Sequence, residues 1–249
     1  MTAVHTPRYF GIDGCPDGWF CVGVDAEAGW TITVIAADAI AKHVVSARAV
    51  FIDIPIGLVD SGPTERTCDL EARRMLGRPR GSSVFPVPAR ASLSARDYRE
   101  ALSLNRRQTA RGISKQAWMI APKIKAVDDA LQNDASLRGV LHESHPEICF
   151  WALNGARAMR HNKKTDAGRQ ERMALLKQLF PPTDALFDEA AKRYRRRQVA
   201  MDDIVDAMVL AVSASLGDSH YRTIPNSPPR DATGLAMQMV FSAPPLRKI

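Results

Sequence analysis

Apolar residues in the first part of the chain form short strand-like runs, separated by turn residues. Four runs rich in β-branched, aromatic and other apolar residues predict strands: 8–15, 18–25, 29–35 and 49–54. Residues 16–18, Pro-Asp-Gly, supply a tight turn, so the first two runs are expected to form a hairpin. A short helix is predicted at 37–47, before the fourth strand.

Beyond residue 60 the apolar residues mostly recur with helical spacing. This spacing predicts a series of helices: 64–76, 94–109, 114–132, 147–153, 167–179, 183–196 and 199–216. Gly77 is expected to end the first of them, and Pro122 falls inside the third, where proline breaks or kinks a helix. A fifth strand is predicted at 139–144 and a late strand at 235–241. The order predicts a mixed α/β fold around one central five-stranded sheet.

Three acidic positions interrupt otherwise apolar segments. Asp13 lies in the first strand, Asp53 ends the fourth, and an acidic group at 202–206 interrupts the last long helix. A buried charge is costly unless a cation neutralises it. Because Mg²⁺ and Mn²⁺ prefer carboxylate oxygens, we expect these acids to converge on bound Mg²⁺ or Mn²⁺.

Helical spacing alone does not decide which two acids of the last long helix bind the metal. Asp203 and Asp206 are three residues apart, Asp202 and Asp206 are four apart, and both spacings place two residues on one face. The simpler alternative for the whole set is that Asp13 caps the hairpin turn and the helix acids form surface salt bridges.

The sequence His145-Pro146-Glu147 follows the predicted fifth strand. Site residues commonly lie at strand ends in α/β folds, so Glu147 is expected to be a further ligand or a general acid–base group. Its alternative role is structural, because a negative charge is favourable in the first turn of a helix. His145 is expected to make a structural hydrogen bond.

Five segments together resemble a known family: Gly-Ile-Asp-Gly-Cys-Pro-Asp-Gly-Trp, Ile-Asp-Ile-Pro-Ile-Gly, Ser83-Val84-Phe85 leading to Pro88-Ala89-Arg90, His-Pro-Glu-Ile-Cys-Phe and Asp-Asp-Ile-Val-Asp-Ala. It is number 429 among the domains of unknown function, regarded as predicted nucleases of the ribonuclease H-like fold. The resemblance spans residue 9 to about 216. It implies a ribonuclease H-like sheet flanked by helices.

Holliday-junction resolvases of the wider superfamily are similar at three places. They carry an Asp on the first strand, an acid on the fourth strand and Asp-x-x-Asp-Ala on the last helix. The resemblance implies Asp13, Asp53, Asp203 and Asp206 as catalytic metal ligands, and so favours Asp203 over Asp202. The fourth-strand acid is usually Glu in those resolvases, whereas this chain has the shorter Asp53.

Composition is compatible with a polyanionic partner. The net charge is +7 and the pI is near 9.5, which allows a polyanionic partner. The resemblance implies that this partner is nucleic acid, either DNA or RNA. Arg90, Lys123 and Lys163 are the candidate substrate-binding residues, because phosphate contacts from basic residues supply affinity for a nucleic-acid backbone. Lys164 and Arg169 are further candidates for phosphate contacts.

Length fits one elaborated α/β domain as well as two small ones. With the resemblance, we expect a single domain over 1–249, with a helical insertion at about 60–135 and an irregular tail at about 218–249. No apolar run reaches the roughly 18 residues of a membrane helix, and residues 1–8 lack the apolar core of a signal peptide. We therefore expect a cytoplasmic protein that does not enter a membrane. The sequence leaves the oligomeric state open, a dimer included.

These expectations favour a metal-dependent nuclease that hydrolyses phosphodiester bonds by a carboxylate-bound two-metal mechanism. One alternative is phosphotransfer of the actin and sugar-kinase type, although the hairpin lacks the Gly-Thr or Gly-Ser run that wraps ATP phosphates. The other alternative is a non-catalytic nucleic-acid-binding module with the same fold.

Overall fold

A five-stranded mixed sheet lies at the centre of the computed structural model, which describes residues 8–25 and 29–243. Its order is β3-β2-β1-β4-β5. β1, β2 and β3 form an antiparallel meander, and β4 and β5 run parallel to β1. The predicted α/β class, hairpin and five-stranded sheet are confirmed. The strands are β1 (Tyr9–Cys15), β2 (Gly18–Asp25), β3 (Gly29–Ile35), β4 (Ala49–Ile52) and β5 (Leu141–Glu143).

Eight helices surround the sheet in the described part of the chain. They are α1 (Ile40–His43), α2 (Thr67–Arg80), α3 (Tyr98–Thr109), α4 (Lys115–Asn133), α5 (Pro146–Leu153), α6 (Asp166–Leu179), α7 (Thr183–Arg193) and α8 (Met201–Ser215). Side chains alternate along β1, so that Phe10 and Ile12 pack with α4 on one face while Cys15 packs with α8 and its neighbours on the other. Both faces of the sheet are therefore covered.

Several predicted boundaries were wrong for identifiable reasons. α1 has only four residues, and Val44 follows it as the C-cap residue with non-helical backbone angles. α3 begins at Tyr98, not 94, because the carboxylate of Asp97 accepts a hydrogen bond from the Glu100 N–H and caps the helix there. Residues 90–94 form a 3₁₀-helix instead.

The regular part of α2 ends at Gly77, as predicted. Gly77 (φ 54°, ψ −163°) and Arg78 have non-helical backbone angles, and a short second helical segment follows this kink and ends at Arg80. Helix α4 continues through Pro122, whose side chain is exposed. Proline has no N–H, so α4 lacks one backbone hydrogen bond at this position and still continues to Asn133.

The tail contains a two-stranded antiparallel ribbon, β6 (Tyr221–Ile224) and β7 (Met239–Ser242). The predicted late strand corresponds to β7, shifted toward the C-terminus, whereas β6 was not predicted. Residues 1–7, which carried most of the signal-peptide argument, lie outside the described residues. In the part of the chain that the structure describes, no helix is long and apolar enough to cross a bilayer.

Candidate active site

Asp13 and Asp53 lie side by side at the end of the sheet where the parallel strands β1 and β4 finish. Ile12 pairs with Ile52 in the parallel β1–β4 ladder, and the Asp53 N–H donates to the Ile12 carbonyl at 2.9 Å. Both acids thus follow adjoining positions at the carboxyl ends of parallel strands, where α/β folds commonly place ligands.

Helix α8 reaches this end of the sheet because β1 carries a glycine where the strand and the helix cross. A Cβ on Gly11 would lie 2.1 Å from both the Ala207 carbonyl oxygen and the Ala211 nitrogen. Only glycine allows so close an approach. Asp206 precedes Ala207, and Asp13 lies two positions beyond Gly11 on the same face of the strand, so this contact brings the helix acid to the strand acids.

Lys163 supplies the positive charge in this group. Its ammonium nitrogen lies 2.5 Å from Oδ2 of Asp206, whose side chain is buried. The same ammonium also acts electrostatically on Asp13 and Asp53. These interactions raise the pKa of Lys163, chiefly through Asp206, so the lysine stays charged.

The strand and helix acids perturb one another. Burial, followed by the charges of Asp53, Asp206 and Asp203, raises the pKa of Asp13 well above its usual range. Burial also raises the pKa of Asp53 to about 7, against the opposing charge of Lys163. The pKa of Asp203 rises to about 6, again mainly through burial. Because Asp53, Asp203 and Asp206 all act electrostatically on Asp13, the four carboxylates lie in one region.

Asp203 and Asp202 differ in their surroundings. One Asp203 oxygen accepts the Ala200 N–H at 3.0 Å and caps α8, and the charge of Asp203 contributes to the raised pKa of Asp13. Asp202 is half-buried and raises the pKa of Asp203. Asp203 is thus coupled directly to the strand acids.

The simpler structural alternative accounts for part of this arrangement. Asp13 accepts the Gly14 N–H at 2.7 Å, which is a local turn interaction. The structural alternative does not account for Asp206, which is 1% exposed and whose Oδ1 has no hydrogen-bond partner in the described structure. A buried carboxylate oxygen without a partner is unusual and needs a cation or water to satisfy it.

Glu147 joins the same region through a buried ion pair. Its Oε1 accepts from Nη2 of Arg172 at 2.5 Å, and its Oε2 has no partner in the described structure. The charge of Glu147 raises the pKa of Asp53, so the two carboxylates are near neighbours. Arg172 also donates to the carbonyls of His161 and Gly168, which ties the loop of Lys163 to helix α6.

His145 has a structural role in this arrangement. Its Nδ1 accepts the Glu147 N–H at 3.2 Å at the start of α5, and the ring also hydrogen-bonds the Ser83 backbone. Burial and the charge of Lys163 lower its pKa. A neutral ring with both nitrogens engaged is poorly suited to proton transfer.

Two cavities flank the acids. The first, of about 190 Å³, is lined by Asp13 and Asp53 together with residues of α4 and of the 84–87 segment. The second is lined by Asp203 and Asp206 with four basic residues: Lys163, Lys164, Arg169 and Arg172. The strand acids therefore line a cavity of mixed apolar and charged character, and the helix acids line a basic one.

Of the remaining predicted binding residues, Lys123 lines the first cavity and Arg90 lies elsewhere. The Lys123 ammonium donates to the Cys15 carbonyl at 2.8 Å and lies 5.8 Å from the centre of the Trp19 ring. Arg90 forms ion pairs with three aspartates outside the acidic site: Asp60, Asp128 and Asp231. A phosphate could bind Arg90 only by displacing those partners.

The tightest group of metal-type donors in the described residues is a different one. Ligand atoms of Cys68, Asp69 and Glu143 lie within 4.8 Å of one another. The guanidinium of Arg66 already pairs with both carboxylates, at 2.6 and 2.7 Å, so this group is neutralised from within the protein. No three of the predicted ligands meet the same distance limit among the described residues. The chemistry of the predicted ligands still fits a divalent cation. Five carboxylates, which are hard ligands, lie in this region, and only two basic side chains pair with them.

The sequence interpretation missed Arg172, Arg66 and the ion-pair role of Lys163. Arg172 offered a detectable signal: it occupies a helical position in line with Gly168 and Leu176, both buried in α6. An arginine on the buried face of an amphipathic helix indicates a buried acidic partner.

The sequence agrees with a defined family over most of its length. No curated protein and no solved structure matches the chain. Residues 11–230 match the family model described as "Protein of unknown function (DUF429)". That range includes every acid of the site and all five strands apart from the first two residues of β1. The chain belongs to this family.

Proposed function

We propose that this protein is a divalent-metal-dependent nuclease with a ribonuclease H-like fold. The main support is the convergence of Asp13, Asp53 and Asp206 from the first strand, the fourth strand and the last long helix. These are the three elements that carry the acids in the Holliday-junction resolvases that the sequence resembles. An antiparallel meander followed by two strands parallel to β1 agrees with the same proposal.

Asp13, Asp53, Asp203 and Asp206 would hold Mg²⁺ or Mn²⁺, with Glu147 beside them. The unpartnered oxygens of Asp206 and Glu147 support this donor set. Bound divalent metal lowers the pKa of water and stabilises charge on the leaving oxygen of a phosphodiester.

The protein's own side chains position and balance this centre. Lys163 offsets the repulsion among the acids and pairs directly with the buried side chain of Asp206. Arg172 fixes one oxygen of Glu147, which leaves the other free to accept a proton from water. Lys123 has donor capacity beyond its bond to Cys15 and lies in the cavity of Asp13 and Asp53, where it can contact a substrate phosphate.

Nucleic acid is the proposed substrate class, with DNA and RNA equally compatible. The net charge is +7, and the second cavity carries Lys164 and Arg169 next to the acids. Basic residues that border a carboxylate centre can hold the phosphates on either side of the cleaved bond.

The test is cleavage of labelled single-stranded DNA and RNA in Mg²⁺ or Mn²⁺ by the wild type and by Asp13→Asn. We expect the variant to fold normally and to lose cleavage by at least about a hundredfold, because it removes one ligand charge. Asp129→Asn is the matched control, since Asp129 is 50% exposed and pairs with Lys125 on the outside of α4.

Wild-type activity in Asp13→Asn would refute the proposal. So would salt-dependent binding of nucleic acid by the wild type without hydrolysis in any divalent metal, which would indicate a binding module.

A further inference from the structure

The first cavity has a composition that the carboxylate chemistry alone does not explain. Eight of its lining residues are apolar: Trp19, Ile54, Pro55, Val84, Phe85, Val87, Ile120 and Met239. Arg66, Asp69 and Glu143 also line it, but they are paired with one another. Asp13 and Asp53 line the same cavity. A phosphodiester held at these acids would therefore have an apolar recess directly beside it. Pockets that combine apolar walls with placed polar groups are typical of small-molecule recognition.

Phe85 gives this recess an aromatic wall. Its ring is half-buried and packs against the small cluster of Ala101, Ile113 and Ala117 at α3 and α4. The segment is held in place because Arg73 donates to the Val84 carbonyl at 2.8 Å. A fixed, partly open aromatic ring is a suitable surface for stacking a planar group.

Two polar side chains in the cavity are available to a ligand. Gln116 is exposed in the first turn of α4, and its amide has no partner among residues 8–25 and 29–243. Lys123 uses one donor on Cys15 and has two left. By contrast, His145 and Ser144 are engaged with Glu147 and Cys149. An amide and an ammonium beside apolar walls suit the polar edge of a heterocyclic base.

We propose that this cavity binds the base of an unpaired nucleotide whose phosphate lies at the acidic site. The proposal rests on the proposed nuclease function and adds a substrate class to it. A base inside a duplex is stacked and paired, so it can enter a recess only after it leaves the stack. The protein therefore prefers single-stranded or flipped-out nucleotides to continuous duplex.

Binding is measured with Ca²⁺, which also binds carboxylate oxygens, in place of Mg²⁺ or Mn²⁺, and a gel confirms that the strand stays intact. The probe is a short single-stranded oligonucleotide with one fluorescent adenine analogue among abasic positions, compared in competition with a fully abasic strand of the same length. We expect the base-bearing strand to bind about tenfold more tightly, because stacking on an aromatic side chain contributes on that order per base.

The variants are Phe85→Leu and Gln116→Leu. Phe85→Leu keeps apolar packing and removes the aromatic face, and Gln116→Leu alters an exposed residue, so the second remains informative if the first is unstable. Each should reduce the base preference several-fold. Met119→Ala on the same helix is the control, because Met119 is 79% exposed and does not line the cavity.

Equal binding of base-bearing and abasic strands, tighter binding of a duplex, or an unchanged preference in both variants would overturn this inference. The two proposals fail separately. If Asp13→Asn loses cleavage but the wild type shows no base preference, the nuclease proposal stands and the base-binding proposal fails. If the wild type shows a base preference but Asp13→Asn cleaves fully, the cavity binds a base and the catalytic role of Asp13 is wrong.

Discussion

Lys163 forms the central ion pair of the site with Asp206, at 2.5 Å, and the Asp206 side chain is only 1% exposed. The lysine comes from the segment before α6, 43 positions from its partner in sequence. Within the described structure it is the cation paired directly with the helix acid. A divalent ion at the same acids would share or replace this role.

Replacing Lys163 with Met should destabilise the metal-free protein by about 2–4 kcal/mol. Removing one partner of a buried pair leaves an uncompensated charge, and the cost is reduced here because Lys163 is 33% exposed. Urea unfolding measures this change. Added Mn²⁺ should restore most of the loss, because it offsets the charge that the lysine had balanced.

The matched control is Lys125→Met, which breaks an exposed pair with Asp129 and should cost no more than about 1 kcal/mol. Equal effects of the two substitutions, or no Mn²⁺ rescue of Lys163→Met, would contradict this role for Lys163.

The stability of the metal-free protein should depend on the proton held by Asp53. Its pKa is about 7 in the folded protein, mainly through burial, against a usual value of 3.8. The folded state therefore retains a proton that the unfolded chain releases, and this carboxyl lowers the free energy of unfolding as pH rises from about 4 to about 7. The loss should amount to a few kcal/mol, at about 1.4 kcal/mol per pKa unit.

The measurement compares urea unfolding of the wild type and Asp53→Asn across that pH range without metal. The variant should gain stability relative to the wild type as pH rises, because its amide does not ionise. Parallel stability curves for the two proteins would show that Asp53 titrates normally.

Substituting Gly11 with Ala should separate β1 from α8. The added Cβ would meet backbone atoms of Ala207 and Ala211, which cannot move aside as a side chain can. We expect a loss of more than about 3 kcal/mol, above the usual cost of overpacking, and weaker Mn²⁺ binding. Gly139→Ala is the control, since a Cβ there meets nothing within 4 Å. Wild-type stability and Mn²⁺ affinity in Gly11→Ala would show that the close approach does not position the acids.

Arg172→Met should leave Glu147 buried without its partner and cost about 3–5 kcal/mol. Arg169→Met on the same helix removes a pair with the exposed Asp166 and should cost about 1 kcal/mol or less. Thermal or urea unfolding distinguishes the two. Adding Glu147→Gln to Arg172→Met should recover part of the loss, because it removes the stranded charge; additive losses would mean that the residues are not coupled.

The strand acids could be predicted because their signal is local. Asp13 lies within the apolar strand β1 and Asp53 directly follows the apolar strand β4. A parallel arrangement brings such strand ends together. The depth of the β1–α8 contact could not be predicted, because it depends on Gly11 meeting one turn of a helix nearly 200 residues away.

The other omissions share the same origin. Lys163 lies outside any helix or strand, so no periodicity indicates where its ammonium points. Strand β6 has four residues with one buried, and its pairing with β7 depends on contacts that the local pattern does not contain. Long-range partners therefore determined what the local sequence left open.

The most direct test of the account is anomalous diffraction from crystals soaked in Mn²⁺. We predict manganese density bounded by Asp13, Asp53 and the acids of α8, with the Lys163 ammonium displaced from Asp206. Manganese at Cys68, Asp69 and Glu143 alone, or an intact Lys163–Asp206 pair with no density beside it at saturating Mn²⁺, would contradict the proposed centre.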